Sequence, residues 1–257
     1  MQPVFADAIR RSAPIRLRAG IRAVLALAPS LPDSQLLLWV RERFGDELAD
    51  DLKHLPDRRR RGHLASRLAL DRALRLAQAE LVERVAGLRY SLDGRPVLVS
   101  ASGMAVSGIC CSLAHTGRAG LAVIGPSPAG ADIEPERRFG LEFATRIAES
   151  EERDLVTNAG IPSEVLPATV WTAKESVLKA TGTGLRIDPR NVRIVARIPG
   201  GWRLHVEGRR QVPCDWDVAS YGAAGCRLAV AHSAGSGPVS LDLHPTMWRR
   251  RGAEVAG

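Results

Sequence analysis

Aromatic residues make up only 4% of this 257-residue chain, it holds four cysteines, and it has no apolar run long enough to span a bilayer. With so few rings, Leu, Val, Ile and Ala must fill the core, and the stacking platforms that bind single-stranded bases are disfavoured. Cys110 and Cys111 are adjacent while Cys214 and Cys226 lie far away, so no C-x-x-C metal clamp exists. Neither C2H2 zinc-finger spacing nor an aromatic-rich RNA-binding motif occurs. Four thiols in a chain of this length, with no evident export signal, point to a reducing cytosol; a cytoplasmic protein is expected. The apolar stretch from Ile21 to Ala28 is broken by Pro29 and is too short for a membrane. The segment RRSAPIRLRAGIRAVLALAP has the arginine-rich composition of a transit peptide, but its alternation favours a strand.

What the chain does have is positive charge: 36 Lys and Arg against 28 Asp and Glu, a formal balance of +8. That balance favours polyanionic partners, whether nucleic acid, a phosphorylated small molecule or an acidic protein. Hydrophobic residues at 45% and charged residues at 25% are ordinary for a folded protein. The length allows one large domain or two small ones.

Apolar residues alternate from Ile15 to Leu27 on either side of Gly20, predicting a strand or hairpin. Asp33 is expected to cap a helix that ends at Gly45. A long amphipathic helix is predicted from His63 to Ala86, preceded by the run Arg58 to Arg61, with Arg67 one to two turns inside it. The run reads either as a solvated basic surface or as guanidinium forks that capture phosphate. Asp93 and Gly94 mark a turn. A strand through Ile109, Cys111 and Leu113 ends at His115, a histidine that is either structural or, beside Thr116 and Gly117, a phosphate donor. The strands LAVIG and ADIE follow, then helix over 139 to 159, then the helix containing WTAKESVLK, ending near Gly182. GTGL lacks the third glycine of a dinucleotide fingerprint, and RIDPRNVRI after it reads as strand. Strands at GWRLHVEG and CRLAVAHS complete the pattern, and residues 235–257 are expected to form a mobile tail. HTGRAGLAVIG is echoed weakly by AAGCRLAVAHSAG, which suggests two similar α+β lobes with a cleft between them.

Two stretches can carry chemistry. In GADIE, Asp132 and Glu134 are two apart and share one face of a strand; in WTAKESVLK, Glu175 and Lys179 are four apart and share one face of a helix. Spacing leaves two readings open. One is a surface helix pair beside the wet face of an edge strand. The other is a converging set of three carboxylates and a lysine, suited to a hard divalent cation with an ammonium next to a bound phosphate.

Together these motifs resemble those of the Sfp-type 4′-phosphopantetheinyl transferase family, in which G-x-D-x-E precedes W-x-x-K-E-x-x-x-K. Here they are Gly130, Asp132 and Glu134, then Trp171, Lys174, Glu175 and Lys179. Gly94, Arg95 and Pro96 are similar to the family's Gly-basic-Pro element, Ala114, His115 and Thr116 to its Ser-His-Ser/Thr element, and Arg67 to an arginine on its first long helix. The resemblance runs from about Arg58 to Ser233. It implies transfer of 4′-phosphopantetheine from coenzyme A to a serine of an acyl or peptidyl carrier protein, with release of adenosine 3′,5′-bisphosphate, an activity of the holo-[acyl-carrier-protein] synthase type. By the same resemblance, Asp132, Glu134 and Glu175 hold Mg²⁺. Lys179 and His115 bind the coenzyme A phosphates, and Arg67 and Arg95 its nucleotide end. Glu175, or a metal-bound water it orients, is the base, with Lys174 assisting and Lys179 counted among the catalytic residues.

The implied fold is α+β: two lobes related by a pseudo-twofold, each a small, mainly antiparallel sheet packed on a long helix, divided as 1–128 and 129–234. A monomer, an acidic carrier as partner, and neither nucleic acid nor membrane are expected. Two departures stand out: Ala114 replaces the usual serine, implying weaker coenzyme A binding, and Leu68 stands where some members have threonine. The alternatives are a basic nucleic-acid-binding protein using Arg58 to Arg61, and a member that binds coenzyme A without transferring anything.

Overall fold

A computed structural model describes residues 13–16, 20–77, 83–208 and 213–234; the predicted tail and residues 78–82 of the predicted long helix lie outside the described residues. In chain order the elements are strands β1 (Ala13–Arg16) and β2 (Arg22–Leu27), helices α1 (Asp33–Phe44), α2 (Asp46–Lys53) and α3 (Asp57–Ala77), and strands β3 (Gly87–Tyr90), β4 (Pro96–Val99), β5 (Cys110–Thr116), β6 (Ala119–Gly125) and β7 (Ala129–Pro135). Helices α4 (Leu141–Ile147), α5 (Ser150–Asn158) and α6 (Leu166–Ala180) follow, then strands β8 (Val192–Ile198), β9 (Gly201–Val206), β10 (Asp215–Ala223) and β11 (Cys226–Ser233).

The strands form antiparallel sheets, one ordered β1-β2-β6-β5 and one ordered β7-β11-β10-β9-β8, with β3 and β4 as a separate hairpin. Strand period decides which face each residue takes. In β2, Val24 and Ala26 pack with Leu64 and Leu68 of α3, while Ala23 and Leu25 face the second sheet. In β7, Ala131 and Ile133 meet that sheet-to-sheet core, which leaves Gly130, Asp132 and Glu134 on the α6 side. The layers therefore run helix, sheet, sheet, helix. Ser112 of β5 ties the sheets together by accepting a hydrogen bond from the Ala131 amide at 3.1 Å.

Two glycines let the helices approach closely. A Cβ on Gly120 of β6 would collide with the backbone of Ala65 and Ser66 in α3, and one on Gly130 of β7 with the backbone of Ser176 and Ala180 in α6. The contact at Gly130 sets the height of α6 over Asp132.

Several expectations are corrected. Asp33 opens the first turn of α1 and caps nothing, Pro32 being the N-cap; its carboxylate instead binds Arg60 at 2.8 Å and Arg61 at 2.6 Å. Arg58 to Arg61 stand inside α3, because the helix begins at Asp57 and not at His63, where the apolar periodicity starts. The single helix expected over 139–159 is two, broken at Ala148, whose backbone is extended, before the capping box of Glu149 and Glu152. RIDPRNVRI is not strand throughout: it begins at the end of one 3-10 turn, Gly184–Arg186, and contains another, Pro189–Asn191, so that β8 starts only at Val192.

Candidate active site

A cavity of about 920 Å³ takes its walls from α3, the β3–β4 hairpin, β5, β7 and α6, a volume suited to a cofactor-sized ligand. Asp132, Glu134, Glu175, Lys179, Arg67, Arg95 and His115 all line it. The set read from separate motifs is thus brought to one place.

On the α6 side, Lys179 Nζ donates to Asp132 Oδ1 at 2.7 Å and lies 4.0 Å from Glu175 Oε1. Burial works against the Lys179 ammonium, but Asp132 and then Glu175 outweigh it and hold its pKa above the ordinary lysine value. Glu134 is bound by Arg138 one turn past the end of the strand; burial nevertheless raises its pKa, with the Arg138 bond pulling the other way. Burial likewise raises Glu175, Lys179 opposing and Asp132 adding to the rise. Asp132 Oδ2 and Glu175 Oε2 are buried with no hydrogen-bond partner.

These orphaned oxygens bear on the implied Mg²⁺. Among the described residues no group of three or more His, Cys, Asp or Glu is disposed to hold a metal as it stands. Two anionic oxygens without donors on one cavity wall are nonetheless the kind of ligand a hard cation takes, so Asp132 and Glu175 fit the group by chemistry. Glu134 joins them only if Arg138 releases it.

Lys174 does not reach this site. A helix turns about 100° per residue, so the lysine before Glu175 points away from the cavity and is fully buried. Its ammonium donates to the Ile147 carbonyl at 2.7 Å and to Glu152, 2.8 Å from Oε2. The same carboxylate accepts from the Glu149 and Ile194 amides. Lys174 thereby ties α4, α5 and β8 to α6, which corrects its expected catalytic role.

On the opposite wall Arg67, 2% exposed, donates to Tyr90 Oη at 2.5 Å and Ser66 Oγ at 2.9 Å. His115 stacks on His63, ring centroids 3.9 Å apart and tilted by 39°. Burial, then Arg67 and Lys179, lowers His115 to about 4; burial, then His115 and Arg67, lowers His63 to about 3. Both rings are neutral near pH 7. Arg95, half exposed, bonds Asp93 at 2.9 Å and lies against Gly182 just past α6, so the β3–β4 loop closes onto the far side of the cavity. Ala114 lines the cavity beside His115, whereas Leu68 is buried in the α3 core.

Sequence reading missed His63 and Tyr90. The available signal was spacing: His63 is four residues before Arg67 and shares its helix face. Half of the basic run, in turn, is engaged within the fold, while Arg58 and Arg59 are exposed. Arg60 is spent on Asp33, Asp57 and the carbonyls of Leu52, Lys53 and Leu55, and Arg61 on Asp33 and the Pro29 carbonyl. No described helix is long and apolar enough to cross a membrane.

Residues 128–231 match the model of the 4′-phosphopantetheinyl transferase superfamily, and the resemblance read from the motifs holds there. The chain is 29% identical over 146 residues to enterobactin synthase component D of Salmonella typhi, a match covering 56% of this chain and 55% of that protein; it thus spans about half that relative's length. Among solved structures it is similar to the holo-[acyl-carrier-protein] synthase AcpS of Thermotoga maritima at 22% identity, covering 40% of this chain and 61% of that one. The TM-score of that pair, 0.35, is too low to support an argument.

Proposed function

We propose that this chain, whose residues 128–231 match the phosphopantetheinyl transferase superfamily, transfers 4′-phosphopantetheine from coenzyme A to a carrier-protein serine, releasing adenosine 3′,5′-bisphosphate. The observation that supports this most directly is the convergence of Asp132, Glu175 and Lys179 with Arg67, Arg95 and His115 around one cavity. Carboxylates alone suit a cation and guanidinium groups alone suit an anion; a ligand with both a metal and several phosphates needs the two together.

In this reading Asp132 and Glu175, joined by Glu134, hold Mg²⁺, which when bound offsets the charge growing on the leaving phosphate. Lys179 stands beside Asp132 and Glu175 to meet a phosphate oxygen. His115, Arg67 and Arg95 bind the phosphates and the nucleotide end from the opposite wall. The serine hydroxyl is a poor nucleophile and needs a base. Glu175 is the candidate, a cavity-lining carboxylate whose Oε2 has no hydrogen-bond donor among the described residues. The enzyme type is the holo-[acyl-carrier-protein] synthase class in the broad sense. Its carrier is acidic, drawn by the excess positive charge, and comes from fatty-acid, polyketide or nonribosomal peptide synthesis. The similarity to enterobactin synthase component D puts the peptide-synthesis carriers first in a test panel. A two-lobed monomer with a pseudo-twofold, divided near residue 128, is the arrangement in which one chain completes its own cleft.

The test is mass spectrometry of several carrier proteins incubated with this protein, coenzyme A and Mg²⁺. A gain of one phosphopantetheine that disappears in Asp132→Ala or Glu175→Ala supports the transferase. Retained coenzyme A with no gain on any carrier points to a binding-only protein.

A further inference from the structure

Arg67 is buried yet, among the described residues, forms no ion pair; its bonds go to Tyr90, Ser66 and His63. A guanidinium can only donate. Where Arg67 Nη1 meets His63 Nδ1 at 3.2 Å, the ring nitrogen must therefore accept. That fixes the tautomer: the neutral imidazole carries its hydrogen on Nε2. This Nε2 is buried without a partner, and so is Arg67 Nε. Two N–H groups one helical turn apart, one cationic and one neutral, on two residues that line the cavity, thus have no acceptor among the described residues. A water or a carbonyl would satisfy the donors, but only an anion also compensates a buried guanidinium.

We propose that His63 is a ligand-binding residue of this cavity, its Nε2–H acting with Arg67 Nε–H to cradle an anionic phosphate oxygen. The neutral state of the ring makes it a fixed donor near pH 7, where a histidine free to gain or lose its proton would donate only part of the time. Stacking on His115 holds its plane, and Gly62 permits this, since a Cβ there would lie 2.8 Å from His115 Cδ2. The identity of the phosphate as part of coenzyme A rests on the transferase reading; the anion site itself does not.

The experiment titrates the wild-type protein, His63→Gln and His63→Phe with coenzyme A, dephospho-coenzyme A and inorganic pyrophosphate by calorimetry, and records imidazole ¹⁵N–¹H spectra. A lost hydrogen bond to a charged group weakens binding by about tenfold or more. That loss is expected in His63→Phe, while His63→Gln, which keeps an N–H donor, stays within about threefold of wild type. The Nε2–H signal absent from His63→Gln should move when ligand is added. Loss for coenzyme A alone places the oxygen on the 3′-phosphate; equal loss for both coenzymes places it on the pyrophosphate, and each supports the cradle. Unchanged affinities in both variants, or a spectrum showing the hydrogen on Nδ1, overturn it. If wild type binds pyrophosphate through His63 but not coenzyme A, the transferase reading falls and the anion site stands. If wild type transfers phosphopantetheine and both variants bind like it, the reverse holds. Wild type that binds neither overturns both.

Discussion

Two buried cations show what separates the wall of this site from the frame behind it. Lys174 on α6 and Arg67 on α3 are both almost wholly removed from water. Lys174 has Glu152 at 2.8 Å and a carbonyl at 2.7 Å, and its counter-ion is itself held by two backbone amides. Among the described residues Arg67 forms no ion pair, and it keeps an idle Nε. The first cation is complete within the fold; the second is left for something the fold does not contain. The same contrast divides the cavity. The α3 wall offers donors without acceptors, and the α6 and β7 wall offers acceptors, Asp132 Oδ2 and Glu175 Oε2, without donors. Had the two met directly they would have neutralised each other, and no site would remain.

Removing each cation in turn tests this most sharply. Lys174→Met leaves Glu152 buried and unpaired, a loss expected to cost about 3–5 kcal/mol, read as a lower denaturant midpoint with an unchanged slope. Arg67→Met removes a charge that no carboxylate of the described residues compensates; stability should stay within about 1 kcal/mol of wild type or rise, while coenzyme A affinity falls. Equal destabilisation by both substitutions would break the comparison. Glu175→Gln, which preserves shape, should slow carrier modification by about a hundredfold or more with little change in melting temperature. An unaffected rate would remove Glu175 from the site. Gly130→Ala forces a methyl into the α6 backbone and is expected to cost about 1–3 kcal/mol as overpacking, together with activity, because Glu175 and Lys179 ride on that helix. Gly120→Ala should destabilise to a similar degree through α3.

A further effect is on pH dependence. His63 and His115 are held at about 3 and about 4, below the ordinary 6.5, so the unfolded chain takes up protons that the folded chain refuses. Their contribution to stability is complete above about pH 6.5 and is lost as pH falls toward those values. The steepest slope is about 1.4 kcal/mol per pH unit for each histidine. Glu134 and Glu175, raised by burial, act in the opposite direction. The difference between wild type and His63→Gln in midpoints at pH 7 and pH 5 isolates the histidine term, and a His63→Gln profile parallel to wild type would contradict it.

Elements with one dominant period were legible in the sequence. The hairpin around Gly20, the strands at His115 and Asp132 and the helix carrying Glu175 stand where alternation or helical spacing put them. Breaks that depend on capping were harder to see: Ala148 and Glu149 carry no glycine or proline to announce the end of α4. Lys174 was misplaced because adjacency in a motif says nothing of the angle between neighbours on a helix. His63 stayed hidden because one histidine among arginines has no meaning until His115 is laid against it from another strand.

The amino-acid sequence determined which groups exist and how they are phased along each element: Asp132 and Glu134 on one side of a strand, Glu175 and Lys179 along one line of a helix, His63 and Arg67 a turn apart. Local sterics and side-chain period fix these, and they hold whatever the elements pack against. Only tertiary structure decided which groups are paired and which are left waiting. Among the described residues it assigned Glu152 to Lys174, Asp33 to Arg60 and Arg61, and no carboxylate to Arg67. The physical reason is that the cost of burying a charge depends on what arrives within a few ångströms of it, and those neighbours come from residues far away in the chain.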